Sequence, residues 1–472
     1  MHLRELLVHL AIAAVCDASS RYVKLPVVHS INRKVFGDVW DKRAMTTVPL
    51  ANRSDVAYYA KLDIGTPPQQ VYLQLDTGSF ELWVNPECAR LQDSSDVWFC
   101  QAAGYYNVTS SSTATTLAGN KTLQYGVGSA SIQYVQDDIG LSDTDTSLKG
   151  VQFGVALDTV DEWSGILGIG YGENVNTPYK NFIDQLADQG VTDTKAFSLA
   201  LGSKAEEEGI VIFGGIDTGK FTGTLQTLPV IPAEDLPDQV PRYWVNMSSL
   251  SLTPPSGNTK VYQNTTMAVF LDSGTTLTLL PTDLANTIAA DFGAEAADSH
   301  GVYSVDCSRK DLPGTLDFGF EGVTIRVPCK ELVRELQTVS PPQCFLGISP
   351  NDDYALLGDT MLRSAYVVFD QTNNAIHLAQ YVNCNKNEME ITDQTNMSSI
   401  TGDCDAPDFN TANTTSGTSP TTTATTDGGN GGAAETDASN ASAAPLIRSS
   451  SHTWLGYWTA LLFVTIWVGA FA

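Results

Sequence analysis

Two near-copies of one tetrapeptide, Asp76-Thr77-Gly78-Ser79 and Asp272-Ser273-Gly274-Thr275, stand 196 positions apart in the chain. Each closes an apolar run of strand length, Val71-Tyr72-Leu73-Gln74-Leu75 in the first case and Met267-Ala268-Val269-Phe270-Leu271 in the second. Glycine two positions after an acid at a strand end permits a tight turn and close backbone approach, and the flanking hydroxyls can donate to a carboxylate. A single Asp-Thr-Gly occurs in many ordinary turns. Repetition changes its weight, because Ile166-Leu167-Gly168 follows Asp76 by 90 positions and Leu356-Leu357-Gly358 follows Asp272 by 84. Such spacing describes two similar halves, each bringing one acid to a shared seam.

Further motifs lie at corresponding places: Leu82-Trp83-Val84 after the first acid, the Gly-flanked hairpin Tyr125-Gly126-Val127-Gly128-Ser129, Gly165-Ile166-Leu167-Gly168, and Leu356-Leu357-Gly358-Asp359 leading to Val368-Phe369-Asp370. With these residues the chain resembles the pepsin-like aspartic proteases over roughly Tyr59 to Ala379. The resemblance implies an all-β, two-lobed fold with a substrate cleft between the lobes, the first spanning residues 55–230 and the second 240–385. It also implies that Asp76 and Asp272 form the catalytic dyad. Thr77, Gly78, Ser79, Ser273, Gly274, Thr275 and Thr276 would support it. Tyr125 and Gly126 would form a flap that closes on substrate, with Tyr125 bonded toward Trp83. Val127 takes a flap position where some relatives carry an Asp that favours basic side chains, and Phe80-Glu81 replaces the Ser-Asn or Ser-Ser common after the first motif. These departures argue for bulky apolar residues on both sides of the cut.

The chemistry follows from the residue types. Two close carboxyls sharing one proton can activate a water with the ionised member and protonate a scissile carbonyl with the other. Like charges cannot both ionise freely, so the pair titrates in two separated steps, a behaviour for which aspartic proteases are themselves the standard illustration. Rival mechanisms are poorly supplied. The six histidines include only His300 and His377 within the catalytic region, and neither H-E-x-x-H nor C-x-x-C occurs. Gly168-Ile169-Gly170-Tyr171-Gly172 lacks the third spacing of a dinucleotide fingerprint. A net charge of -27 argues against a nucleic-acid partner. No cofactor or metal is expected. A glycosidase also pairs carboxylates, though without duplicated Asp-hydroxyl-Gly turns; a non-catalytic surface or wall protein of the same fold is the other alternative.

The chain ends carry their own signals. Arg4 and the apolar Leu6 to Val15 read as a secretory signal peptide over residues 1–19. Residues 20–43 read as a basic propeptide, with Arg21, Lys24, Arg33, Lys34, Lys42 and Arg43 set against Asp38 and Asp41. Opposite charge would hold this leader over the cleft at neutral pH, and Lys42-Arg43 is a candidate processing site. Residues 396–451 are rich in Ser, Thr, Gly, Ala and Asn and cannot bury a core, so they read as a stalk. The hydrophobic stretch 453–472 has no basic residue beyond it, the pattern of a GPI-attachment signal, with Asn440-Ala441-Ser442 as the small-residue attachment site. The whole is similar to the fungal GPI-anchored, yapsin-like aspartic proteases: monomeric, membrane-tethered outside the cell, and acting on proteins or peptides.

Seven of the eight cysteines follow the signal. The resemblance pairs Cys88 with Cys100 and Cys307 with Cys344, leaving Cys329, Cys384 and Cys404 open. Sequons at Asn52, Asn107, Asn120, Asn246, Asn264, Asn396, Asn413 and Asn440 fit a secreted glycoprotein.

Overall fold

The computed structural model describes residues 21–29 and 57–409, apart from short stretches at 86, 89–90, 92–93, 127, 163, 207, 237, 255–257 and 337–341. The signal peptide, Lys42-Arg43, Asn52, Val127, Asn413, Asn440 and the hydrophobic tail therefore lie outside the described residues.

β-Branched and aromatic residues in alternating or continuous apolar runs favour strands, and the described chain is mostly strand with short helices such as Phe182–Asp188 and Thr282–Asp291. Thirteen strands form one large sheet. Its middle comprises Ala365–Asp370, Ala196–Ala200, Glu208–Phe213, Val23–His29, Tyr58–Ile64 and Gln69–Asp76 in that spatial order, so strands from both halves share one backing. A five-stranded sheet built around Met267–Leu271 carries the second half's acid.

The duplicated motifs take duplicated pairings. Gln74, Leu75 and Asp76 run parallel to Ile166, Leu167 and Gly168, as Val269, Phe270 and Leu271 run parallel to Ala355, Leu356 and Leu357. In each half the strand after the acid, Leu82–Val84 or Thr278–Leu280, then pairs antiparallel with that same short strand. Burial on both faces, with Leu75, Leu167, Leu271 and Leu357 all at 0% exposure, explains why these runs lack polar alternation.

Two end segments depart from the expectations above. The first part of the basic leader is not laid over the cleft: Val23–His29 is an interior strand, paired with Glu208–Phe213 on one side and Tyr58–Ile64 on the other. Val23, Leu25 and Val27 are buried in the main core, and this apolar alternation outweighs the charges of Arg21 and Lys24, which reach Asp193 and Glu388. At the other end, the chain stays folded beyond residue 396. Glu388–Glu390 pairs with Gly215–Asp217, Cys384 is bonded to Cys404, and Ile391 and Met397 join a second core with Phe221, Leu225 and Tyr366. Any stalk therefore begins after the folded part, which extends past 396 and past the expected lobe end at 385.

Candidate active site

The two turns after the strands interlock. Thr77 Oγ1 donates to the Leu271 carbonyl at 2.9 Å, and Ser273 Oγ donates to the Leu75 carbonyl at 2.8 Å. Each hydroxyl also accepts the other turn's N–H, Ser273 N to Thr77 Oγ1 at 2.9 Å and Thr77 N to Ser273 Oγ at 3.2 Å. Both side chains are at most 1% exposed, so these four bonds satisfy groups that water cannot reach.

The interlock sets the acids face to face. A Cβ placed on Gly78 would lie 2.6 Å from Asp272 Oδ1, and one on Gly274 would lie 2.3 Å from Asp76 Oδ1, so no other residue type fits either position. The inner oxygens accept backbone N–H groups, Gly78 to Asp76 Oδ1 and Gly274 to Asp272 Oδ1, both at 2.8 Å. The outer oxygens accept hydroxyls, Ser79 to Asp76 and Thr275 to Asp272. The carboxyls thus stand against each other's turns at the seam. Burial, followed by the neighbouring Asp76 charge, pushes Asp272 up to about 8, which favours its protonated form beyond the ordinary carboxylate range. Thr276 acts through its backbone: its carbonyl accepts Thr360 N at 3.0 Å and Thr360 Oγ1 at 2.9 Å, fastening the second turn to the helix Asp359–Leu362.

The hairpin lies against the first turn. Strands Thr115–Gln124 and Ser129–Leu141 are paired up to Gln124 and Ser129, and Tyr125 N–H closes the turn on the Gly128 carbonyl. Trp83, wholly buried, donates Nε1 to Tyr125 Oη at 2.7 Å. Gly128 has φ +90°, and its open Cβ position faces the Val160 carbonyl and Glu162, so glycine is required there. Gly126 at the tip faces only Tyr354 Oη, 3.8 Å from where a Cβ would be, on the opposite wall. Tyr354 packs on Phe270, which forms one buried group with Trp244 and Leu356.

Two acidic residues missed by the sequence reading as contributors belong to this region. Glu162, beside the flap at Gly128, is pushed up to about 8 by burial and by Asp76 and Asp161. Glu81 is 2% exposed and accepts from side chains on three other segments. Its place directly after the first motif was the available signal.

Cys88–Cys100 and Cys307–Cys344 are disulfides, and Cys384–Cys404 is a third; Cys329 keeps a buried thiol, pushed up to about 11 by burial. Asn107, Asn120, Asn246, Asn264 and Asn396 all have exposed side chains. His377 is bonded to Thr227 and faces Asp370 in the large sheet, and His300 is exposed on a loop of the second half. Among the described residues no three His, Cys, Asp or Glu side chains converge as metal ligands would.

Comparison with known proteins agrees with this geometry. The family profile described as eukaryotic aspartyl protease matches residues 57–381. The chain is 31% identical to a probable aspartic-type endopeptidase opsB of Aspergillus fumigatus, over 79% of this chain and 77% of that protein. It is 33% identical to secreted aspartic protease 3 of Candida albicans, covering 85% of this chain and 100% of that one. The crystal structure of an aspartic proteinase from Irpex lacteus superposes with a TM-score of 0.57 at 19% identity, covering 77% of this chain and 98% of the other. By this profile and these relatives, the chain belongs to the eukaryotic aspartyl protease family and is an aspartic endopeptidase.

Proposed function

We propose that the enzyme cuts proteins or peptides at acid pH outside the cell, with Asp76 and Asp272 as its catalytic pair. The observation that carries this reading is the interlocked seam, which sets the two carboxyls face to face, with Asp272 pushed up by burial and by the Asp76 charge. Asp76 in its ionised form takes a proton from a water bound between the acids. The protonated partner donates to the scissile carbonyl oxygen, leaving a tetrahedral diol, and the protons are returned as the C–N bond breaks and the amine leaves. Ser79, Thr275 and the two glycine N–H groups hold the carboxyls in place for this exchange. Tyr125 and Gly126 close on the peptide, which excludes water and orients the bond.

The departures at Val127 and Phe80-Glu81 support a preference for bulky apolar residues. The similarity to secreted aspartic proteases of Candida albicans, the sequons and the terminal sequence patterns support export. In this reading residues 1–19 are a signal, Lys42-Arg43 is a processing site, the exposed sequons carry glycans, and a monomer is tethered by a GPI group at Asn440.

Purified Asp76→Asn and Asp272→Asn should each lose peptide cleavage while keeping the wild-type circular dichroism spectrum, and pepstatin should inhibit the wild type. Cleavage retained by Asp76→Asn overturns the dyad. Phosphatidylinositol-specific phospholipase should release the protein from cells; retention with the C-terminal tail still on the mature chain overturns the tether.

A further inference from the structure

Trp83 and Glu81 are two residues apart on the segment that leaves the first acid's turn, and both side chains reach the flap hairpin. Trp83 bonds the flap's turn at Tyr125. Glu81 bonds its stem: Oε1 accepts Lys121 Nζ at 2.8 Å from one flap strand and Tyr134 Oη at 3.1 Å from the other. Its second oxygen accepts Tyr179 Oη from the segment before the helix Phe182–Asp188. The Lys121 ammonium also lies 5.8 Å from the Phe80 ring centroid, and the Tyr134 and Tyr179 rings meet edge to face at 5.5 Å. The backbone of Glu81 is itself anchored, because its carbonyl accepts Gly168 N–H at 3.1 Å beside the strand that pairs with Asp76.

We infer that Glu81 is a positioning residue that seats the flap over the dyad, with Lys121 as its counter-ion. The carboxylate joins four segments: the catalytic turn, both flap strands and the Tyr179 segment. A buried charge bonded on both oxygens has little freedom to move, so the stem of the flap takes its position from the turn that carries Asp76. Beyond the stem, Tyr125 is bonded to Trp83, and a Cβ at Gly126 would meet Tyr354 Oη at 3.8 Å, an ordinary contact distance. Burial and the Glu81 charge raise both Tyr134 and Tyr179, which stay protonated donors throughout the working range. The Glu81 field also reaches Tyr125, which Asp76 and Glu162 act on as well. Lys121 balances the Glu81 charge, which acts on Tyr125 together with Asp76 and Glu162 and so reaches the dyad through the flap.

This inference rests on the dyad reading and is tested separately from it. Peptide cleavage by wild type, Glu81→Gln, Lys121→Met and the double variant is measured across pH, with kcat and KM resolved. Each single variant is expected to raise KM about threefold or more with a smaller change in kcat. The basic limb of the kcat/KM profile, where the shared proton is lost, should move in opposite directions. Glu81→Gln leaves Lys121 unbalanced and moves it to lower pH, whereas Lys121→Met leaves Glu81 unbalanced and moves it to higher pH. The double variant should restore the limb but not KM, and Lys121→Arg should restore both. Lys121 is half-exposed, so its variants remain informative if Glu81→Gln does not fold. Limbs that stay fixed, or that move together in both single variants, overturn the inference. Loss of the dyad reading would show instead as activity surviving in Asp76→Asn.

Discussion

Two carboxyls near the flap, Asp272 and Glu162, keep protons in the folded enzyme that the unfolded chain gives up, and this ties stability to pH with a definite sign. Asp272 is raised from 3.8 to about 8 and Glu162 from 4.5 to about 8, each chiefly by burial. A group whose folded pKa is raised contributes its full stability below the unfolded value and loses it as pH climbs through the folded one. The window is therefore pH 4 to 8, with stability falling as pH rises. Each group that holds its proton adds a slope of about 1.4 kcal/mol per pH unit within the window. Asp137, Asp370 and Glu388 are lowered by their hydrogen bonds and ion pairs, so their contributions fade only on acidification below the window. Urea unfolding at pH 4.5, 5.5, 6.5 and 7.5 would measure the slope for wild type, Asp272→Asn, Glu162→Gln and the double variant. Each single change should remove about half of the wild-type slope and the double change nearly all of it. An Asp272→Asn protein with the wild-type slope would refute the reasoning.

Three further outcomes follow from particular contacts. Thr77→Val strands the Leu271 carbonyl and the Ser273 N–H in a dry seam and should cost about 2–4 kcal/mol in urea unfolding, with kcat falling at least tenfold in the same preparation. Trp83→Phe keeps the buried ring but removes the donor to Tyr125, so KM should rise several-fold with a thermal midpoint within a few degrees of wild type; an unchanged KM would contradict the flap contact. Replacing Cys384 and Cys404 together by Ser opens a link of sequence separation 20 and should lower stability by about 3 kcal/mol, while acid-pH cleavage by the folded protein persists.

The parts of this molecule that were legible in the sequence are those where one short segment carries both the element and its chemistry. The Asp-hydroxyl-Gly turns specify their own inner and outer carboxylate bonds within three residues. Their repetition, with the echoed Leu-Gly segments, was enough to place two acids at one seam. Glu81 was visible only as a departure, because its partners come from 40, 53 and 98 residues away. The leader was dominated by its charges when read alone. What places Val23–His29 in the middle of a sheet is the pair of strands it meets, one of them nearly two hundred residues later. Residues 388–404 are mostly polar and resemble in composition the sequence that follows, yet a few side chains, Ile391, Met397 and Cys404, suffice to fix them against strands from a distant part of the chain.

The reciprocal grip between Thr77 and Ser273 makes competence a property of the pair of halves. Each hydroxyl reads the backbone of the other repeat, so a polypeptide cut between the repeats would yield two inert fragments, and turnover would return only on their reassociation, with a rate that depends on the product of their concentrations.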